Sequence, residues 1–233
     1  MMMKKKYCMM AIALMMSVAM YAQRENWKVA DKGPSIDNYF TPATAEAAKP
    51  DNEGFIRRWT LLEPINKPNR GNTVFTDSYI KEHLGMEYFK GQSSLLPKHG
   101  QKVKVGKQKL QWHKMDSKLY NVKLFRFATG LDKQYYGIIF LATTVIECDE
   151  DIQGVRLSVG SNSASMWWLN GEETLMLSGD RRMVADDGMS RRITLKKGVN
   201  ILRGAVINGP GMSDFCVRFI DENGNPVKNI RIR

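Results

Sequence analysis

From about residue 100 to the C-terminus the chain is a series of short runs rich in strand-forming residues, each cut by a turn signal, and this pattern leaves few folds open. The sharpest cut falls inside SMWWLNGEETLML, where Asn170-Gly171 separates two apolar runs. Asn and Gly tolerate the positive φ that a two-residue hairpin turn requires, so a hairpin is expected there. QKVKVGKQKLQWHK turns the same way at Gly106, LYNVKLFRFA alternates as a strand does, and YYGIIFLATTVIEC is apolar on both faces, as a central strand is. In GVRLSVG, Val155, Leu157 and Val159 share one face while Arg156 and Ser158 take the other. Turns at Gly198 and Gly224 frame the last strands, LKKGVNILRGAVING and FCVRFIDENGNPVKNI. The expectation is an all-β, antiparallel sandwich or jelly roll over residues 54–233.

Upstream the organisation changes. FIRRWTLLEPI opens the ordered body near Gly54 as a strand ending at Pro64, which cannot donate to a ladder. Thr76-Asp77-Ser78 supplies capping oxygens ahead of YIKEHLG, so one short helix is expected near residues 77–84, stopped at Gly85. Residues 23–53 mix Pro, Ala, Asn and charge without a period and read as an N-terminal arm or linker.

The first 22 residues have the build of a secretory signal peptide. Lys4, Lys5 and Lys6 precede an apolar run from Met9 to Met20, with small residues at Ala19 and Ala22 for cleavage near Ala22. That run is shorter than the roughly 20 apolar residues a membrane helix needs, and no second such stretch follows. The expected location is therefore secreted or periplasmic, with no membrane span. The formal charge of +11 includes three lysines from this segment and favours acidic surfaces without naming a partner. Basic residues are spread along the chain with no recognition-helix or RNP-like run, so no nucleic-acid partner is expected.

Catalytic signatures are sparse. No G-x-S-x-G elbow occurs; Gly160-Ser161-Asn162-Ser163-Ala164 lacks its second glycine. His83, His99 and His113 fall in a helix, a loop and a strand end, and no His/Cys cluster has metal-ligand spacing, so no catalytic residue, metal or cofactor is assigned. Asp149-Glu150-Asp151 and Asp221 to Asn225 read as acidic turns, and Asp186-Asp187 as part of a hairpin loop. Once Cys8 leaves with the signal segment, Cys148 and Cys216 remain; an oxidising compartment permits a disulfide between them, while strand thiols also serve as small buried hydrophobes.

Binding chemistry points to the adjacent indoles Trp167 and Trp168. Strand alternation sends one to each face, so that one packs in the core while the other lies outward or beneath a loop, where an indole can stack on a sugar ring. Arg181, Arg182, Asp186 and Asp187 are the nearby groups suited to holding hydroxyls, and Asn170 and Gly171 have a structural role in the turn.

Five strings taken in order carry a resemblance: Trp59 to Ile65 (WTLLEPI), Gly160 to Glu173 (GSNSASMWWLNGEE), Gly179 to Val184 (GDRRMV), Leu195 to Val206 (LKKGVNILRGAV) and Phe215 to Pro226 (FCVRFIDENGNP). Over residues 54–231 the chain resembles the N-terminal accessory module of secreted Bacteroidetes acetylxylan esterases. The resemblance implies a galactose-binding-like β-sandwich with WLNG as a fold signature. It also implies a partner in plant cell-wall polysaccharide, xylan in that context, or in an esterase catalytic domain. No catalytic half of such an enzyme follows before Arg233, so esterase activity is not expected of this chain alone; an acetylxylan esterase fragment and a protein-docking module are the alternative readings.

Overall fold

The computed structural model describes residues 35–69 and 71–233. The expected signal segment, residues 1–22, and the start of the arm lie outside the described residues. The strands are β1 (Phe40–Pro42), β2 (Arg58–Leu62), β3 (Ile65–Asn66), β4 (Lys102–Val105), β5 (Gln108–Ser117), β6 (Ile138–Cys148), β7 (Ile152–Ser161), β8 (Ala164–Leu169), β9 (Glu172–Leu177), β10 (Gly188–Met189), β11 (Ile193–Leu195), β12 (Gly198–Asn208), β13 (Phe215–Ile220) and β14 (Arg231–Ile232). Two helices, α1 (Asp77–Leu84) and α2 (Leu124–Gly130), interrupt them.

The strands form an antiparallel β-sandwich. The larger sheet runs β1-β5-β2-β6-β12-β8-β9, with β3 and β14 also on β6 and β4 on β5; the smaller sheet sets β10, β11 and β13 against β7. Its long central pair, β6 with β12, keeps register from Gly198↔Cys148 to Asn208↔Ile138. Alternation then sorts the side chains. Trp59, Phe140, Trp167, Leu202 and Val206 of the larger sheet meet Val155, Leu157, Val159, Phe215 and Phe219 of the smaller one in a single buried core. The opposite face of the larger sheet carries a second apolar cluster in which Leu62, Trp112, Leu141 and Ala205 pack under Phe75, Ile80 and Leu84. Residues 35–233 thus form three layers: helix and loop, large sheet, small sheet.

The hairpins expected at Gly106 and at Asn170-Gly171 both form, the second with φ of +53° and +89° at its two turn residues. Helix α1 also forms, with the Thr76 hydroxyl accepting from the Tyr79 N–H at 3.4 Å. One expectation is overturned. LYNVKLFRFA is not a strand, because its second half folds as α2. Leu124, Phe125, Phe127 and Ala128 are buried at helical spacing, and Phe127 packs against Phe40 and Phe140 of the core. The arm from residue 35 packs as well: Phe40 is 1% exposed, β1 pairs with β5, and Ala48 bridges to Ile232.

The candidate disulfide between Cys148 and Cys216 is absent; both thiols are free and buried. The reason is alternation on two different sheets. Cys148 points into the intersheet core, whereas Cys216 lies between Phe215 and Val217, both of which face that core, so its own side chain points to the outer face of the smaller sheet.

Candidate functional site

The two tryptophans part company across the larger sheet. Trp167 is fully buried, its ring edge-on to Trp59 and Phe215 at centroid separations of 5.9 and 5.2 Å, and its indole N–H donates to Ser165 Oγ at 3.0 Å. Every polar and apolar demand of that ring is met inside the protein. Trp168 lies on the other face, half-buried beside the cluster that α1 covers.

The loop groups singled out from the sequence are engaged with the protein itself. The Asp186 carboxylate accepts from Arg218 Nε at 2.9 Å and Nη2, and from the Ser158 hydroxyl at 2.5 Å. Ser158 and Arg218 project from the outer face of the smaller sheet, so Asp186 and Trp168 sit on opposite outer faces of the sandwich. The Arg218 hydrogen bond, the largest influence, holds the Asp186 carboxyl below its usual range against the opposing effect of burial. Arg181 donates to Asp187 through Nε at 2.8 Å and through Nη2, and to the Ser178 carbonyl at 3.2 Å. Arg182 is exposed. Asn170 is occupied with the turn: its side-chain oxygen accepts from the Ile201 N–H at 2.8 Å and its amide donates to Asn200 Oδ1 at 3.0 Å, while Gly171 also borders the cavity described next. Of the candidate binding residues, Trp168 therefore stands apart from the Arg181–Asp187 loop.

What surrounds Trp168 was not singled out from the sequence. Register places Trp168 (β8) beside Arg203 (β12), Arg203 beside Thr143 (β6), Thr143 beside Thr60 (β2) and Thr60 beside Lys114 (β5), one continuous row across five strands. The segment following α1, from Gly85 to Leu95, folds over one end of this row and encloses a cavity of about 130 Å³ lined by Trp168, Arg203, Thr143, Trp112, Leu141 and Glu87, among others. Beyond Leu96 and Pro97 the row opens into a groove of about 490 Å³ that Thr60, Thr143, His99, Lys114 and Val145 share.

The cavity is lined by one cation, Arg203, and one acid, Glu87. Arg203 donates through Nη2 to the Leu95 carbonyl at 2.9 Å, but its Nε is buried with no partner, and it forms no ion pair among the described residues. Burial alone pushes its guanidinium below the ordinary arginine value. Trp112 is 3% exposed, and its indole Nε1 is likewise buried without an acceptor. Two buried donor atoms without acceptors, on side chains that line one small cavity, are costly to the fold. The acid at the rim is already committed: Glu87 accepts from the Ser93 N–H at 2.9 Å, the Ser93 hydroxyl at 2.5 Å and the Gly91 N–H at 3.2 Å, and the Ser93 contacts are the main reason its carboxyl lies below the usual range. The signal that could have exposed this site is Arg203 itself, a cation in the middle of the eleven-residue, otherwise largely apolar strand β12.

No protein-family model matches the sequence, and no curated protein does. Among solved structures, a PA14 sugar-binding domain from an RTX adhesin aligns with a TM-score of 0.43 and 10% identity, over 74% of this chain and 95% of that one. The PA14 domain of the antifreeze protein MpAFP aligns at 0.38 and 8%, over 81% and 92%. A β-glucosidase from Kluyveromyces marxianus aligns at 0.35 and 20%, over 56% of this chain and 16% of the enzyme. Likeness this distant identifies neither family nor ligand.

Proposed function

We propose that the protein is a secreted, non-catalytic accessory module that binds plant cell-wall glycan through the outer face of its larger sheet. The observation that carries this reading is Trp168, half-buried at the edge of a polar row and beside a cavity lined by Arg203 and Trp112, whose Nε and Nε1 respectively lack acceptors. An indole flank presents an apolar surface to the C–H face of a pyranose, and fixed donors beside it set orientation. The N-terminal segment supports export, and the resemblance of residues 54–231 supports a role in an acetylxylan esterase system, with xylan as the first polysaccharide to try.

The test is affinity electrophoresis of the purified protein in gels containing xylan, pectic polysaccharide or an unrelated neutral glucan. Retardation by at least one wall polysaccharide is expected, and Trp168→Ala should abolish it while leaving the melting temperature within a few degrees. Unretarded migration in every gel, or retardation that Trp168→Ala leaves intact, refutes the reading.

A further inference from the structure

We infer that the cavity between Trp168, Arg203 and Trp112 receives a carboxylate, so that the glycan recognised at this face is one bearing uronic acid; the inference rests on the glycan reading above and narrows it. Volume comes first. At about 130 Å³ the cavity is well below the 300–1,000 Å³ of sites that enclose a whole drug-sized ligand, so it accepts a substituent while the rest of the chain lies in the adjoining groove.

The donors then select the substituent. Arg203 Nε and Trp112 Nε1 each require an acceptor, and neither the sheet nor the covering segment provides one. A hydroxyl or an ester carbonyl could meet a hydrogen bond, but it would leave the half-buried Arg203 guanidinium without an ion pair. Glu87 cannot serve, being held by Ser93 and Gly91. Glu173 stands across Trp168 on β9 and is exposed, and it makes no ion pair with Arg203. A ligand carboxylate supplies two acceptor oxygens and the missing charge together, the pairing for which a guanidinium is best shaped. Lys114, three places along the same row, extends the positive character into the groove, where further acidic residues of a polysaccharide would lie.

The experiment measures binding to glucuronoxylan and polygalacturonate, to the same two polymers after reduction of their carboxyls to alcohols, and to acetylated xylan free of uronic acid. At least one acidic polymer should bind, about ten-fold or more tighter than its reduced form. Arg203→Met should bring the acidic and reduced forms to equal affinity. Trp112→Phe, which keeps an aromatic ring but removes the N–H together with the five-membered half of the indole, should weaken the acidic form several-fold more than the reduced form; this variant keeps the test decisive if Arg203→Met does not fold. Equal binding of the acidic and reduced polymers, lost in Trp168→Ala, overturns the carboxylate inference while the glycan reading stands. So does acetylated xylan binding as tightly as the acidic polymers. Absence of binding to all five polymers refutes both.

Discussion

Gly204 sits in the middle of β12, a position where strand propensity alone favours almost any other residue, since glycine in a strand interior costs roughly 0.5–1 kcal/mol relative to alanine. The tertiary structure reverses that expectation. A Cβ built on Gly204 would lie 2.3 Å from Cζ3 of Trp167, 2.6 Å from Cε3 and 2.7 Å from Cη2, at least about 0.8 Å inside the 3.5–4.0 Å at which carbon atoms attract. The ring cannot swing away cheaply, because Trp59 and Phe215 hold its edges and Ser165 holds its N–H. Overpacking of this kind costs about 1–3 kcal/mol, sometimes more, and the gain from replacing glycine recovers less than about 1. Gly204→Ala should therefore destabilise by about 2 kcal/mol, which in a chain of this size lowers the melting temperature by roughly 4–8 °C. Urea unfolding of the single variants and of Gly204→Ala/Trp167→Phe gives the coupling, and the smaller ring should relieve about 1 kcal/mol of the alanine's cost. A Gly204→Ala protein as stable as the parent, or additive effects in the double variant, would refute the packing argument.

Two further outcomes follow from the buried polar groups. Because the folded Asp186 carboxyl titrates below its unfolded value, the stability it contributes with Arg218 is complete above about pH 4 and is lost as pH falls through the folded value. The stability difference between the parent and Asp186→Asn should therefore be clear at pH 6 and shrink at pH 3; equal differences at both would show that the ion pair contributes nothing. Burial pushes the Cys216 thiol up to about 12 and raises that of Cys148, so neither should react with Ellman's reagent at pH 8 until the protein is unfolded, and reductant should leave the melting temperature unchanged. A reductant-sensitive melt would restore the disulfide.

What the chain's own pattern determined is local. Asn170-Gly171 and Gly106 specify hairpins because their conformational needs are met within two residues, Thr76 caps α1 three residues away, and the alternation of Val155, Leu157 and Val159 assigns faces in β7 without knowledge of the partner sheet. Alternation likewise foretold that Trp167 and Trp168 would separate. Where two periods fit one short segment, as in Leu124 to Ala128, the pattern was ambiguous and burial against Phe40 and Phe140 chose the helix.

Tertiary structure alone decided which polar groups are spoken for. Asp186 and Asp187 look equivalent along the chain, yet one is paired with Arg218 on a neighbouring strand and the other with Arg181 within the loop. The candidate site has the same origin. Trp112, Thr143, Trp168 and Arg203 come from four strands and meet only through cross-strand register, and the segment that roofs them, residues 85–95, has no recurring pattern of its own. A hydrogen bond is legible in a sequence when its partners are a turn apart; an unmet one is legible only after every neighbour has been placed.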